Sequence, residues 1–125
     1  MVRVAGNFVD ENGLASMEFG TAVLGIPLLM VLGHSSCGAI SATIDVIENG
    51  TELPGHLPSL VNALKPGVER ALETKPADPL VAATAENVRY NVERLKSATP
   101  IVSEAVSAGK VKVIGGVYDI ATGKV

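Results

Sequence analysis

The feature that most constrains the fold of this chain is an uninterrupted apolar run over residues 28–32, followed directly by Gly33-His34-Ser35-Ser36-Cys37-Gly38. An apolar run without alternation is typical of a strand that is buried on both faces, as in a parallel sheet. Ser35 or Ser36 can cap a helix that runs to Asn49-Gly50. The segment therefore predicts a strand, a turn and a helix, with polar side chains at the carboxyl end of a sheet, where α/β proteins place their chemistry.

The rest of the chain alternates between strand and helix patterns. Apolar segments at 2–5 and 111–118 predict two further strands. Helix patterns cover about 13–24, 59–72, 79–95 and 100–108, with a break at Pro66-Gly67 in the second and Asp78 as the N-cap of the third. Residues 119–125 predict a turn that begins a hairpin. This alternation predicts an α/β fold with a mainly parallel sheet flanked by helices, in a single domain over residues 1–125.

Composition excludes several classes of partner. The formal net charge of −3 and the absence of a Lys/Arg cluster give no electrostatic footprint for nucleic acid or an anionic membrane. The longest apolar stretch contains Gly25 and Pro27 and falls short of the roughly 20 residues of a membrane span. Residues 1–7 do not resemble a secretory signal, and one cysteine cannot form an internal disulfide. We therefore expect a cytoplasmic protein that binds neither nucleic acid nor membrane.

His34 and Cys37 are the candidate metal ligands. A cysteine in the first turn of a helix lies beside unpaired backbone N–H groups and the positive end of the helix dipole, which favour a thiolate. His34 can supply a neutral imidazole from the preceding turn. A catalytic zinc site uses three protein ligands, for example Cys₂His, and leaves a fourth position for a water whose pKa falls towards about 7. One more sulfur ligand would complete that arrangement.

Two other interpretations of this pair stay open. Free cysteines are commonly buried and isolated histidines commonly find a hydrogen-bond partner, so a His-x-x-Cys spacing alone is more often packing than metal binding. Alternatively, Cys37 is a nucleophile that His34 and the helix N-terminus activate. No arginine-bearing loop or second acidic element follows to define a substrate for such a nucleophile, so it ranks below zinc.

Several further motifs, in a fixed order, carry a resemblance to a known family. The chain closely resembles the β-class carbonic anhydrases in Arg3-Val-Ala-Gly-Asn7, Ser16-Met-Glu18-Phe19, Leu24-Gly25-Ile26-Pro27, Gly33-His34-Ser-Ser-Cys37-Gly38-Ala39, Glu86-Asn87-Val88, Gly116-Val117-Tyr118-Asp119-Ile120 and Thr122-Gly123. The resemblance runs from residue 2 to the last residue, and the combination is far more specific than any one motif.

The resemblance implies a zinc enzyme that interconverts carbon dioxide and bicarbonate. In that family two cysteines and one histidine hold the zinc ion, and His34 and Cys37 match the histidine and the second cysteine. Gly38 matches a glycine beside the substrate pocket. Phe19 stands where the family often has a pocket tyrosine, although ordinary core packing is the interpretation we favour for it. Family members generally associate, which implies a homo-oligomer, either a dimer or a tetramer.

The family's first cysteine lies in a Cys-x-Asp-Ser-Arg motif on an earlier strand, together with the aspartate and arginine that orient the zinc-bound water. This sequence has one cysteine and no such motif. The resemblance therefore implies an N-terminally incomplete domain whose sheet lacks the central strand between the strands at 2–5 and 28–32. We assign no catalytic residue within the 125 residues and expect little or no carbon dioxide hydration. The alternative is a degenerate, non-catalytic interaction or dimerisation module.

Overall fold

The computed structural model describes every residue from Met1 to Val125. The two strands are parallel and pair in register, from Leu28 opposite Lys112 to His34 opposite Tyr118. No helix combines the length and the apolarity that a membrane crossing requires. The elements, in chain order, are α1 (Glu11–Ala22), β1 (Leu28–His34), α2 (Gly38–Asn49), α3 (Leu57–Glu73), α4 (Pro79–Lys96), α5 (Ile101–Ser107) and β2 (Lys112–Tyr118). This architecture confirms the predicted α/β class with a parallel sheet.

Helix α4 is the central element of the molecule, because it contacts both strands and the helices α2, α3 and α5. It begins as predicted, with the Asp78 carboxylate accepting a hydrogen bond from the Val81 N–H at 3.2 Å. One cluster of buried side chains lies between α4 and the sheet and comprises Val9, Val31, Val88, Leu95, Val111 and Val113. A second lies between α2, α3 and α4 and comprises Cys37, Ile40, Leu64, Val68, Ala71 and Ala83.

The predicted burial of β1 on both faces was wrong. Side chains alternate along the strand, and only Val31 and Gly33 are buried against α4. A Cβ atom on Gly33 would lie 2.8 Å from Val88 Cγ2, so this end of the strand rests directly on the helix. On the opposite face Leu28, Met30 and Leu32 are 47%, 44% and 44% exposed, because nothing there covers them fully.

The predicted strand at residues 2–5 is also absent, and the segment is irregular. A strand needs a neighbour that takes its backbone hydrogen bonds, and none lies beside it here. The chain that follows is held by α4 instead. Asn87 Nδ2 donates to the Gly6 carbonyl at 2.8 Å, and Arg94 Nη1 donates to the Val9 carbonyl at 3.2 Å.

Two predicted features of the helices differ from the structure. Pro66 does not interrupt α3, because the helix runs unbroken and its buried residues Val61, Leu64 and Val68 offset the loss of one backbone hydrogen bond. The N-cap of α2 is Cys37, with no side-chain cap, and neither Ser35 nor Ser36 takes that role. The C-cap of α2 is Gly50, with a left-handed φ of 65°, as predicted.

The C-terminal residues form the predicted turn. Gly123 N–H donates to the Asp119 carbonyl at 2.8 Å, and Asp119 N–H donates to the Lys124 carbonyl at 2.7 Å. Residues 119–124 therefore form a closed turn directly after β2. Because the end of β2 pairs with the end of β1, the turn also lies beside the end of β1.

Candidate metal centre

The sheet places His34 and Cys37 on one short loop. His34 is the last residue of β1, and Cys37 immediately precedes α2. The loop continues the parallel ladder for one more residue, since Ser35 N–H donates to the Tyr118 carbonyl at 2.8 Å. Ser36 then takes a left-handed φ of 55°, which reverses the chain into α2. Both predicted ligands thus lie at the carboxyl end of the sheet.

The imidazole of His34 is half-buried and has one ring nitrogen engaged. Its Nδ1 lies 2.8 Å from the Ser35 carbonyl oxygen. Because a carbonyl can only accept, Nδ1 donates in this contact, and in the neutral imidazole Nε2 is then the nitrogen with the lone pair. A metal-ligating histidine commonly has this arrangement, with its other ring N–H donated to a backbone carbonyl.

The thiol of Cys37 is buried, with 2% of the residue exposed, and it forms no disulfide. It packs in the cluster that includes Ile40 and Leu64. Its backbone is extended, at φ −70° and ψ 113°, and it precedes the first helical turn of α2. The sulfur atom therefore lies on the apolar core and makes no capping hydrogen bond to the first turn of α2.

Gly38 and Phe19, the two residues matched to the substrate side, lie in different surroundings. A Cβ atom on Gly38 would meet nothing within 4 Å, so the space beside Cys37 is open. Phe19 lies on α1 and is 57% exposed, so the favoured interpretation of core packing was wrong. Helix α1 packs mainly on α5. The structure thus does not bring Phe19 to the loop.

The donor atoms match zinc in type but not in number. An imidazole nitrogen and a thiolate sulfur are two of the three protein ligands of a Cys₂His centre. No group of three or more His, Cys, Asp or Glu side chains is placed to hold a metal ion. The loop by itself can therefore supply half of a tetrahedral metal site, and it needs at least one further protein ligand.

Sequence reasoning missed the contact between the C-terminal turn and this loop. Ile120 N–H donates to Ser35 Oγ at 2.9 Å. The Asp119 carboxylate accepts from the Ala121 N–H and the Thr122 hydroxyl, each at 3.0 Å, and these bonds lower the pKa of Asp119. An Asp followed two and three residues later by its own hydrogen-bond donors is a common turn signal, which could have located the turn but not its contact with Ser35.

Fold and loop together define the class, which is an α/β protein that presents a histidine and a cysteine at the carboxyl end of a parallel sheet. The sequence profile of the family described as carbonic anhydrase matches residues 1–125. The chain belongs to the carbonic anhydrase family.

Individual relatives are longer than this chain. It is 31% identical over 133 residues to a carbonic anhydrase of Mycolicibacterium smegmatis, covering 100% of this chain and 60% of the relative. It is 32% identical over 135 residues to one of Pseudomonas aeruginosa, again covering 100% of this chain and 60% of the relative. The chain thus spans about three fifths of the length of each of these two curated relatives.

Solved structures show the same fold. The β-carbonic anhydrase of Coccomyxa, solved in complex with acetazolamide, superposes with a TM-score of 0.81 at 28% identity, covering 98% of this chain and 57% of that one. A tetrameric β-carbonic anhydrase of Sordaria macrospora superposes with a TM-score of 0.79 at 24% identity, covering 95% of this chain and 62% of that one.

Proposed function

We propose that this chain supplies the histidine and one cysteine ligand of a zinc-dependent carbonic anhydrase that interconverts carbon dioxide and bicarbonate. The observation that carries the proposal is the loop at the end of β1, which presents His34 with Nδ1 bonded to a carbonyl and Cys37 three residues later. Family membership over the whole chain supports the same assignment.

Each residue of the loop has a proposed part. His34 Nε2 and the Cys37 thiolate bind the zinc ion, which, when bound, acts as a Lewis acid on a water molecule. Gly38 leaves the open space in which a small substrate can approach. Phe19 is assigned to the substrate side by family correspondence alone. Its exposed ring lies on α1, and we propose that another copy of the chain brings it next to the loop.

The proposal also covers the domain organisation, the oligomeric state and the location of the protein. We propose that residues 1–125 form one domain of a homo-oligomer, a dimer or a tetramer, in the cytoplasm. The solved tetrameric neighbour and the uncovered apolar face of the sheet support association. The missing third ligand is the reason to expect that the 125 residues alone hydrate carbon dioxide weakly or not at all.

Zinc content and stopped-flow hydration test the proposal in two proteins. The chain as it stands should bind zinc weakly and show little turnover. The same chain with a Cys-x-Asp-Ser-Arg strand placed ahead of residue 1 should hold about one zinc ion per chain and gain hydration activity. Cys37→Ser in the extended protein should abolish both gains.

The control variant is Ser41→Ala, since Ser41 is an exposed hydroxyl residue one turn further along α2. It should leave zinc content and turnover unchanged. Unaltered zinc content in the extended Cys37→Ser variant would contradict the proposed role of Cys37.

A non-catalytic interaction module is the second candidate function, and the presence of only two metal-type donors favours it. Zinc analysis of the unextended chain distinguishes the possibilities. A module binds none, whereas two chains that pool His34 and Cys37 in a shared Cys₂His₂ site bind about one ion per two chains.

A further inference from the structure

The motif around Tyr118-Asp119-Ile120 and Thr122-Gly123 has no role in the proposed zinc chemistry, yet it builds a well-connected turn. The turn is closed at both ends by backbone hydrogen bonds between Asp119 and residues 123 and 124. Inside it, Asp119 Oδ1 accepts from the Ala121 N–H and Oδ2 accepts from the Thr122 hydroxyl. The Asp119 carboxylate thus stabilises the turn by accepting hydrogen bonds from two residues inside it.

This turn holds Ser35, the first of the two residues between the candidate ligands His34 and Cys37. Ser35 Oγ accepts from the Ile120 N–H at 2.9 Å and lies 3.4 Å from Asp119 Oδ1. Ser35 N–H donates to the Tyr118 carbonyl at 2.8 Å. The 3.4 Å contact is long for a hydroxyl and a carboxylate, so the Ile120 N–H is the stronger tie. Asp119 therefore acts mainly by aiming that N–H at Ser35.

The remaining polar group of Ser35 faces His34. Its carbonyl oxygen lies 2.8 Å from His34 Nδ1. All polar groups of Ser35 are thus engaged, the N–H and the hydroxyl by the end of β2 and the turn, and the carbonyl by the imidazole. A rotation about the Cα–C bond of Ser35 would turn the carbonyl away from Nδ1, break this contact and free the histidine ring.

We infer that Ser35 and Asp119 are positioning residues for His34: the turn and the end of β2 fix the residue Ser35 through its hydroxyl and N–H, and the Ser35 carbonyl holds the imidazole in the Nδ1–H form with Nε2 directed to a metal. The inference rests on the proposed function for the identity of His34 as a ligand. It adds two residues, 84 positions apart in the sequence, that a search for zinc ligands beside His34 and Cys37 would not select. Hydrogen-bond partners of this kind change metal affinity by about 10 to 100-fold in other metal sites.

The first test uses the metal-free chain. Proton–nitrogen correlation spectra at mildly alkaline pH report which ring nitrogen of neutral His34 carries the proton, and a His56→Gln background removes the signals of the other histidine. Ser35→Ala and Asp119→Ala should lower the Nδ1–H fraction of His34 at least twofold. Ser35→Thr keeps a hydroxyl and should retain the wild-type fraction.

The matched control is Asp45→Asn. Asp45 is another surface carboxylate held by hydroxyl and amide donors, but it lies on α2, two turns beyond the loop. It should leave the ring tautomer unchanged. A wild-type tautomer in both Ser35→Ala and Asp119→Ala, or an equal change in Asp45→Asn, would overturn the inference.

The second test titrates zinc alone against a chromophoric chelator. Ser35→Ala and Asp119→Ala should weaken zinc binding about tenfold relative to wild type, with Ser35→Thr and Asp45→Asn within twofold of it. Unchanged zinc affinity in both alanine variants would contradict the positioning role. If the wild-type chain and its extended form bound no zinc, the proposed function would fail, and the tautomer measurement alone would decide the role of Ser35 and Asp119.

Discussion

Gly33 and Gly38 stand on either side of the candidate ligands in opposite surroundings. Gly33 is buried against α4, and a Cβ atom there would approach Val88 Cγ2 to 2.8 Å. Gly38 begins α2, and a Cβ atom there would have no neighbour within 4 Å. Close packing therefore requires a glycine at position 33. Packing makes no such demand at position 38, where only the chemistry of the neighbouring site would require a glycine.

Gly33→Ala should lower the free energy of unfolding by about 1–3 kcal/mol, because Val88 or the end of β1 must shift to admit the methyl group. Gly38→Ala is the matched control. It should be neutral or raise stability by up to about 1 kcal/mol, since alanine restricts the unfolded chain and meets no neighbour. Urea unfolding followed by circular dichroism measures both, and equal losses in the two variants would contradict the packing argument.

Residue type was sufficient to select His34 and Cys37, because few side chains bind zinc and their spacing is local. Ser35 and Asp119 could not be selected in the same way. Each is an ordinary turn residue in its own segment, and their contact depends on the pairing of β1 with β2. A short sequence window contains no information about that pairing.

At the scale of elements, the end of α2 is fixed by a carboxylate that is ionised at neutral pH. Asp45 accepts from the Thr51 hydroxyl and from Asn49 Nδ2, both at 2.7 Å. Both bonds lower the pKa of Asp45 in the folded protein, and the bond from Thr51 has the larger effect. Asp119 does the same for the C-terminal turn.

These depressed pKa values predict a loss of stability in acid. A carboxylate with a lower pKa in the folded state stabilises the fold above its unfolded pKa, about 4, and that contribution disappears as the pH falls through the folded value. The free energy of unfolding should therefore decrease below about pH 4. Urea unfolding between neutral pH and pH 3 measures it, and Asp45→Asn should reduce the decrease. An identical pH profile in Asp45→Asn would exclude Asp45 as a source.

Element boundaries followed the sequence where local rules act alone, as at Asp78-Pro79 and Gly50. They departed from it where packing competes with a local preference. Pro66 is a helix breaker in isolation, but the apolar face of α3 packs against α2 and α4 and keeps the helix continuous. Residues 2–5 have strand propensity but no neighbour to pair with.

At the scale of the whole molecule, strand β1 has both an open edge and an open face. Pro27 and Ser35 bond to β2, so by alternation the backbone groups of Leu28, Met30 and Leu32 point away from it. The side chains of the same three residues lie on the uncovered face. An apolar edge strand without charged residues is a template for association.

Met30→Lys should reduce self-association of the chain, because a charge on the open face opposes the approach of a second apolar edge. Val81→Lys is the matched control, since Val81 is more exposed, at 65%, but lies on α4 away from the edge. Sedimentation velocity over a range of concentrations measures the effect. Equal reductions in the two variants would show that net charge, and not the edge of β1, governs association.

The sequence by itself determined the order of the elements from α1 to β2, the parallel α/β class and the two metal-type donors after β1, because these depend on residue types and periodicities within short windows. The tertiary structure alone decided which face of β1 is buried, that residues 2–5 form no strand and that the C-terminal turn holds Ser35 beside His34. Each of these depends on contacts between residues far apart in the chain, which only pairing and packing bring together.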